Sequence, residues 1–283
     1  MDNTRSGVVL DSAHPEFNDS VPLCPVCQAK PVRSHEQIFM AKYRVVFHQC
    51  PGCGLLRSQP PTWLDAAYSN AIAQTDVGLL SRNIEIARLL QVLFAFRLGA
   101  EERILDYAGG YGLLVRLLRD AGYAAHWYDQ YCKNIFATGY EASPDSHFPV
   151  ITLIEVLEHI HDPVAFLDTI MATCRPRMLI ISTLTYAGTP PAPGTWDYYS
   201  PETGQHITFY TEQTLDLLAQ RYGLVSQRLG MIRVFAAPGS VPGWMRFFAH
   251  RRMIPLWKLG CKRRQSLLMQ DYAAARKSTM DGG

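Results

Sequence analysis

Three groups of residues in this chain have the types and spacings that chemistry needs. The first is the run Leu105-Asp106-Tyr107-Ala108-Gly109-Gly110-Tyr111-Gly112. Small residues let a backbone turn sharply and approach a ligand, whose anionic group then meets the free N–H groups of a helix that starts there. Asp129 follows 23 residues after Asp106. A carboxylate at the end of the next strand can accept hydrogen bonds from both hydroxyls of a ribose. The second group is Glu155-Val156-Leu157-Glu158-His159, with a further histidine in Gly204-Gln205-His206. Carboxylates beside an imidazole can take or hold a proton near neutral pH. The third is Cys24-x2-Cys27-x22-Cys50-x2-Cys53. Each CxxC puts two thiolates on one tight turn, and two such turns complete a tetrahedral zinc site. Four cysteines leave no open coordination position, so the zinc is expected to be structural. His35 and His48 stand nearby as substitute ligands.

Regular elements must hold these groups. Residues 103–107 read as a short apolar strand, followed by the glycine turn and a helix over 113–121 stopped by Gly122. A second strand over 124–128 ends at Asp129, and a third covers 150–154. The next helix opens near Asp162-Pro163, with proline at an early helical position. A fourth strand is expected over 178–184, a helix over 211–222, and a hairpin from 224–227 and 232–236. Upstream, residues 81–98 form an amphipathic helix with Ser81 as N-cap and Ile84, Ala87, Leu90 and Phe94 at helical spacing. Strands alternating with helices imply an α/β fold with a mostly parallel sheet, its ligand at the carboxyl ends of the strands. The stretch with Trp196, Tyr198 and Tyr199 reads as a substrate-covering loop whose aromatic faces suit sugar rings.

A dinucleotide site would need a third glycine, but Gly110-x-Gly112 is followed by Val115 at that position. Read as acid-x-Gly-x-Gly-x-Gly, the turn instead resembles the first motif of class I S-adenosylmethionine-dependent methyltransferases. Asp106, Gly110 and Gly112 match, and Ala108 replaces the first glycine. The resemblance extends to Glu155–His159 with Asp162-Pro163, because many of those enzymes carry Glu-Val-x-Glu-His after the fourth strand. It covers residues 102–237, and it implies a Rossmann-like domain in which Asp106, Ala108, Gly110, Gly112, Asp129 and Glu155 hold S-adenosylmethionine. Only 20 residues lie between Asp129 and Val150, which implies an abbreviated adenine side.

Within that resemblance His159 is the leading candidate for the base, His206 competes with it, and Glu158 orients the base or binds substrate hydroxyls. Zinc module, helical linker and Glu-Val-x-Glu-His core together resemble bacterial methyltransferases of sugar and polysaccharide clusters. That implies O-methylation of a sugar or glycan intermediate, either a small molecule or lipid-linked. One alternative is a ribosomal-RNA base methyltransferase with a zinc module, which would carry Asn/Asp-Pro-Pro-aromatic where this chain has Glu155–Glu158. Another is a non-catalytic zinc-containing interaction protein, against which the intact Asp106, Gly110, Gly112 and Asp129 argue.

The chain has 283 residues, 48% hydrophobic and 18% charged, which excludes a disordered protein. Its 27 basic and 25 acidic side chains do not mark a nucleic-acid binder. No run reaches the roughly 18 apolar residues of a membrane span, and the polar N-terminus lacks a signal-peptide core. A cytoplasmic protein is expected. Seven cysteines, an odd number without an export signal, favour metal over disulfides. The expected divisions are a polar arm (1–20), a zinc-binding module (21–60), a helical linker (61–101), the methyltransferase domain (102–237) and a basic aromatic tail (238–283). Residues 231–283 carry ten basic and two acidic side chains, with Trp244, Phe247, Phe248 and Trp257 among them. Such a mixture is suited to peripheral contact with an anionic membrane, to covering its own domain, or to RNA contact.

Overall fold

The computed structural model describes residues 21–68, 76–97, 102–143, 146–245 and 264–281. Its larger sheet contains β4 (Arg103–Tyr107), β5 (Ala124–Tyr128), β6 (Val150–Ile154), β7 (Met178–Ser182), β9 (Val225–Leu229) and β10 (Ile232–Ala236), in the order β5-β4-β6-β7-β10-β9. The first four are parallel, and β10 runs antiparallel to both β7 and β9. This is the mostly parallel α/β sheet that the alternation of strands and helices implies. The inner strands β4, β6, β7 and β10 are buried at successive positions because helices cover both faces. Ile104, Val150, Ile180 and Val234 join the core on the side of α2 (Leu79–Arg97) and α3 (Leu113–Asp120). Their neighbours Leu105, Ile151, Ile181 and Phe235 join the core with α4 (Pro163–Thr173) and α5 (Glu212–Arg221). Fully burying one such side chain contributes about 1.5–3 kcal/mol.

Local chemistry sets the helix ends. Asp162 caps α4, its Oδ1 accepting from the N–H groups of Val164 and Ala165 at 3.0 Å each. Thr211 and Thr214 form a reciprocal capping box at the start of α5. Two expected ends shift. Ser81 lies inside α2 rather than capping it, because a turn at Asp76 and Gly78 already feeds the helix. The fourth strand stops at Ser182, since Thr183 and Leu184 turn to bond the Tyr198 hydroxyl at 3.1 and 3.2 Å. Between β5 and β6 the described residues form no helix or named strand. Residues 140–142 instead bridge the edge of β5, with Trp127 N–H donating to Tyr140 O and Ala142 N–H to Trp127 O, both at 2.8 Å.

The smaller sheet is antiparallel, in the order β1 (Val32–Phe39), β2 (Tyr43–Gln49), β3 (Leu56–Ser58), β8 (Thr208–Phe209). Its fourth strand follows the stretch with Trp196, Tyr198 and Tyr199 and anchors that stretch to the sheet. Phe39, Phe47, Trp63, Tyr186, Tyr199 and Phe209 share one core, and Tyr199 is fully buried. Large rings with this much area to bury fix the segment against the sheet and make it a wall.

At the other end, α6 (Leu268–Asp281) docks on α3 through Asp271, which accepts from Arg119, Arg116 and the Tyr140 hydroxyl. Of the basic aromatic tail, Trp244 meets Phe96 edge-on at 5.5 Å and Arg264 lies over Tyr123. Residues 246–263, with Phe247, Phe248, Trp257 and most of its cations, lie outside the described residues. Among the described residues, no helix is long and apolar enough to cross a membrane.

Candidate active site

The carboxyl ends of β4, β5 and β6 open into a cavity of about 830 Å³, the size of a site for a nucleoside-like ligand. Its floor is the glycine turn. Ala108, Gly110 and Gly112 take left-handed φ values of 60°, 55° and 85°. Alanine at φ 60° carries a steric cost of about 1–2 kcal/mol that glycine would avoid. Gly112 opens α3 and has no room for a side chain, since a Cβ would lie 2.6 Å from Asn134 Oδ1. Gly109, at a free position of the motif, is just as constrained: a Cβ there would lie 2.8 Å from Asp106 Oδ2 and 3.0 Å from Trp127 Cδ1.

Two acids frame this turn. Asp106 is buried and accepts from the Thr152 hydroxyl at 2.6 Å; burial pushes its carboxyl up to about 7. Asp129 accepts from Gly110 N–H at 2.9 Å through Oδ2, and from the N–H groups of Tyr131 and Cys132 through Oδ1. A carboxylate oxygen with one donor retains a lone pair for a second. Asp129 can therefore brace the turn and accept from a ribose hydroxyl together.

Opposite them stands the acid–histidine group. Glu155 holds a left-handed φ of 54°, locked by Ser182, whose hydroxyl donates to Glu155 Oε1 at 2.5 Å and accepts from the Glu155 N–H at 3.0 Å. Glu158 has no exposed surface; its Oε1 accepts from the Tyr198 hydroxyl at 2.7 Å and its Oε2 has no hydrogen-bond partner among the described residues. Burial, then the nearby Glu155, pushes the Glu158 carboxyl up to about 8. His159 shares a 3.0 Å hydrogen bond between Nδ1 and the Tyr68 hydroxyl, and burial holds its imidazole down to about 3. His206 donates from Nδ1 to the Tyr198 carbonyl at 2.6 Å, which leaves the lone pair on Nε2. Burial lowers this imidazole too, and the two rings meet edge-on at 4.9 Å.

Asp106, Ala108, Gly110, Asp129, Glu155, His159 and His206 all line the one cavity. Gly112 acts one step behind it as the turn into α3, and Glu158 lies beneath it against Tyr198. Sequence reasoning missed Gly109, Tyr68, Arg82, Asn83, Tyr131 and Gln205, which also line it. Arg82 and Asn83 are two of several polar residues in α2, beside Glu85, Arg88 and Gln91, so residue type alone did not mark them. Tyr68 carried no signal, because its role comes from tertiary placement, whereas Gln205 stood in the Gly204-Gln205-His206 run without being assigned a role.

The four cysteines converge as their spacing requires. All four Sγ atoms lie within 4.8 Å of one another, with Cys24–Cys53 at 3.6 Å and Cys27–Cys50 at 3.3 Å. Zinc–sulfur bonds of about 2.3 Å in a tetrahedron need such separations. The site is compatible with zinc. His35 is instead stacked on Phe47 and His48 pairs within the β-sheet, both outside the sulfur cluster.

A mostly parallel α/β sheet with its glycine turn and strand-end acid at one cavity defines a methyltransferase-type domain. The methyltransferase domain family matches residues 81–228, more than half of the chain, and the chain belongs to that family. Among solved structures it is similar to TnmH, at 20% identity and a TM-score of 0.43, with 62% of this chain and 60% of that one covered. It is similar to the mitomycin 7-O-methyltransferase MmcR at 14% identity and a TM-score of 0.41, covering 63% and 60%. Human N-acetylserotonin methyltransferase, in complex with SAM, is similar at 15% identity and a TM-score of 0.38, covering 62% and 65%. The chain thus spans about three fifths of the length of the first of these structures. No curated protein matches it.

Proposed function

We propose that this protein transfers the methyl group of S-adenosylmethionine to a hydroxyl of a sugar or glycan intermediate, free or lipid-linked. The observation that carries this reading is that the glycine turn with Asp129 and the pair His159 and His206 line one cavity, with Glu158 buried behind the histidines. When bound, S-adenosylmethionine supplies a sulfonium methyl that passes to the acceptor oxygen, the C–S bonding pair staying on sulfur.

Each residue then has a task. The turn from Ala108 to Gly112 lets the backbone lie against the cofactor, and Asp129 accepts from its ribose. Glu155, held by Ser182, closes the cofactor side. Trp196 and Tyr198 line the acceptor side and offer ring faces to a pyranose. The acceptor hydroxyl loses its proton at the Glu158/His159/His206 group, where both imidazoles are neutral at pH 7. Four thiolates at Cys24, Cys27, Cys50 and Cys53 hold a structural zinc that fixes the smaller sheet.

Calorimetric titration with S-adenosylmethionine, followed by labelled-methyl transfer to nucleotide-sugar, lipid-linked-glycan and RNA fractions, tests the reading. Micromolar cofactor binding and label in a saccharide fraction are expected. No heat of binding, or label in RNA alone, would overturn it.

A further inference from the structure

We propose that Glu158, His159 and His206 form a binding site for one divalent transition-metal cation at the acceptor end of the cavity. Nothing in the motif resemblance assigns these three residues to a metal.

One carboxylate oxygen and one ring nitrogen from each histidine lie within 4.8 Å of one another. Modest side-chain adjustment brings such a set around an ion at the 2.0–2.2 Å typical of nitrogen and carboxylate ligands. A second observation comes from Glu158 itself. Its side chain is wholly buried, and its Oε2 has no hydrogen-bond partner among the described residues. An orphaned buried carboxylate oxygen is costly, and a cation or a proton is what relieves it.

The surrounding shell has the form that metal-ligating side chains use. A ligating histidine donates its other ring N–H to a carbonyl or carboxylate, and a ligating carboxylate is itself hydrogen-bonded. His206 donates Nδ1–H to the Tyr198 carbonyl, and Glu158 accepts from the hydroxyl of that same Tyr198. Tyr198 thus orients two of the three ligands. Two nitrogens and one oxygen, with the remaining positions open to the cavity, suit a first-row divalent ion rather than calcium or magnesium.

The inference rests on the proposed function and specifies how the acceptor's proton is lost there. A cation lowers the pKa of a bound hydroxyl. The O–H proton then leaves to solvent water, and the oxygen lone pair forms the new O–CH3 bond. The lone pair of His206 Nε2 serves the ion instead of the proton.

The test uses the full chain with its zinc retained, dialysed free of other divalent ions and titrated with Mn2+. Free ion is followed by electron paramagnetic resonance, with S-adenosylmethionine affinity measured in parallel. One Mn2+ per chain is expected. His206→Ala and Glu158→Gln should each weaken it by at least about tenfold, while Asp129→Ala, on the cofactor side, leaves it unchanged. Circular dichroism of each variant separates loss of folding from loss of a ligand. Cofactor binding without Mn2+ binding overturns the cation site and leaves the proposed function standing. Mn2+ binding that survives His206→Ala in a folded protein also overturns it. Mn2+ binding without cofactor binding overturns the methyltransferase reading instead.

Discussion

Asp129 Oδ2 accepts a hydrogen bond from Gly110 N–H at 2.9 Å, so the acid ending β5 is tied to the turn that ends its neighbour β4. One carboxylate therefore shapes the floor of the cavity and faces it. Asp129→Ala removes a charged acceptor that contributes about 1.5–3 kcal/mol, and cofactor affinity is expected to fall by about 10–100-fold. Titration calorimetry measures this directly. Wild-type affinity in the variant would remove Asp129 from the site.

Gly109→Ala is expected to be more damaging than the motif suggests. The new methyl would meet Asp106 Oδ2 at 2.8 Å and Trp127 Cδ1 at 3.0 Å, and neither can retreat. Asp106 is pinned by Thr152, and Trp127 by its own bond to the Gly110 carbonyl. Overpacking of this kind costs about 1–3 kcal/mol. Both melting temperature and cofactor affinity should drop. An unchanged melting curve would mean that the turn has slack the contacts do not show.

Legibility followed the range of the forces involved. The strands, α3, α4 and α5 were readable because short apolar runs, glycine stops and the Asp162-Pro163 cap are local. The glycine turn, Asp129 and the cysteine pairs were readable because their chemistry constrains spacing along the chain. The Trp196–Tyr198 stretch does line the cavity, but that the chain just after it supplies β8 to the smaller sheet was not readable, since β8 pairs with β3 across about 150 residues of sequence. Tyr68 reaches His159 from outside any motif, and the partnerless Oε2 of Glu158 is a property of packing alone.

His159 and His206 are expected to lower turnover together. Replacing either by alanine should reduce kcat by about 10²–10⁴, the range expected when the group that promotes loss of the acceptor's proton is disabled, with cofactor affinity little changed. Tyr198→Phe gives a milder version, because it frees Glu158 Oε1 but keeps the backbone carbonyl that orients His206. Full turnover in either histidine variant, once an acceptor is in hand, would remove that side chain from the chemistry.

Loss of zinc should be felt beyond the smaller sheet. The Cys53 carbonyl accepts from the hydroxyls of Thr211 and Thr214 at 2.8 and 2.7 Å, at the start of α5. Cys24, Cys50 and Cys53 also belong to the core that contains Leu215 and Leu218. One zinc per chain is expected by metal analysis. Cys50→Ser should abolish it and lower a single unfolding transition, rather than detach an early one. Two resolved transitions after chelation would show that the coupling through Thr211 is weak.

Asp271 makes stability depend on pH at the acid end. Burial pushes its carboxyl up, but hydrogen bonds from Arg119, Tyr140 and Arg116 prevail and hold it at about 2, below the ordinary 3.8. A carboxyl lowered in the folded state stabilises at every pH above its unfolded value. That contribution, about 2.5 kcal/mol, is lost as pH falls from about 4 to about 2. Asp271→Asn should therefore lower stability at pH 7, where it strands the buried Arg119. The gap between variant and wild type should narrow through the same acid window, as both carry a neutral side chain at its end. Urea unfolding at pH 7, 4 and 3 reads the gap directly. A gap that stays constant over that range would mean that α6 does not dock through this ion pair in solution.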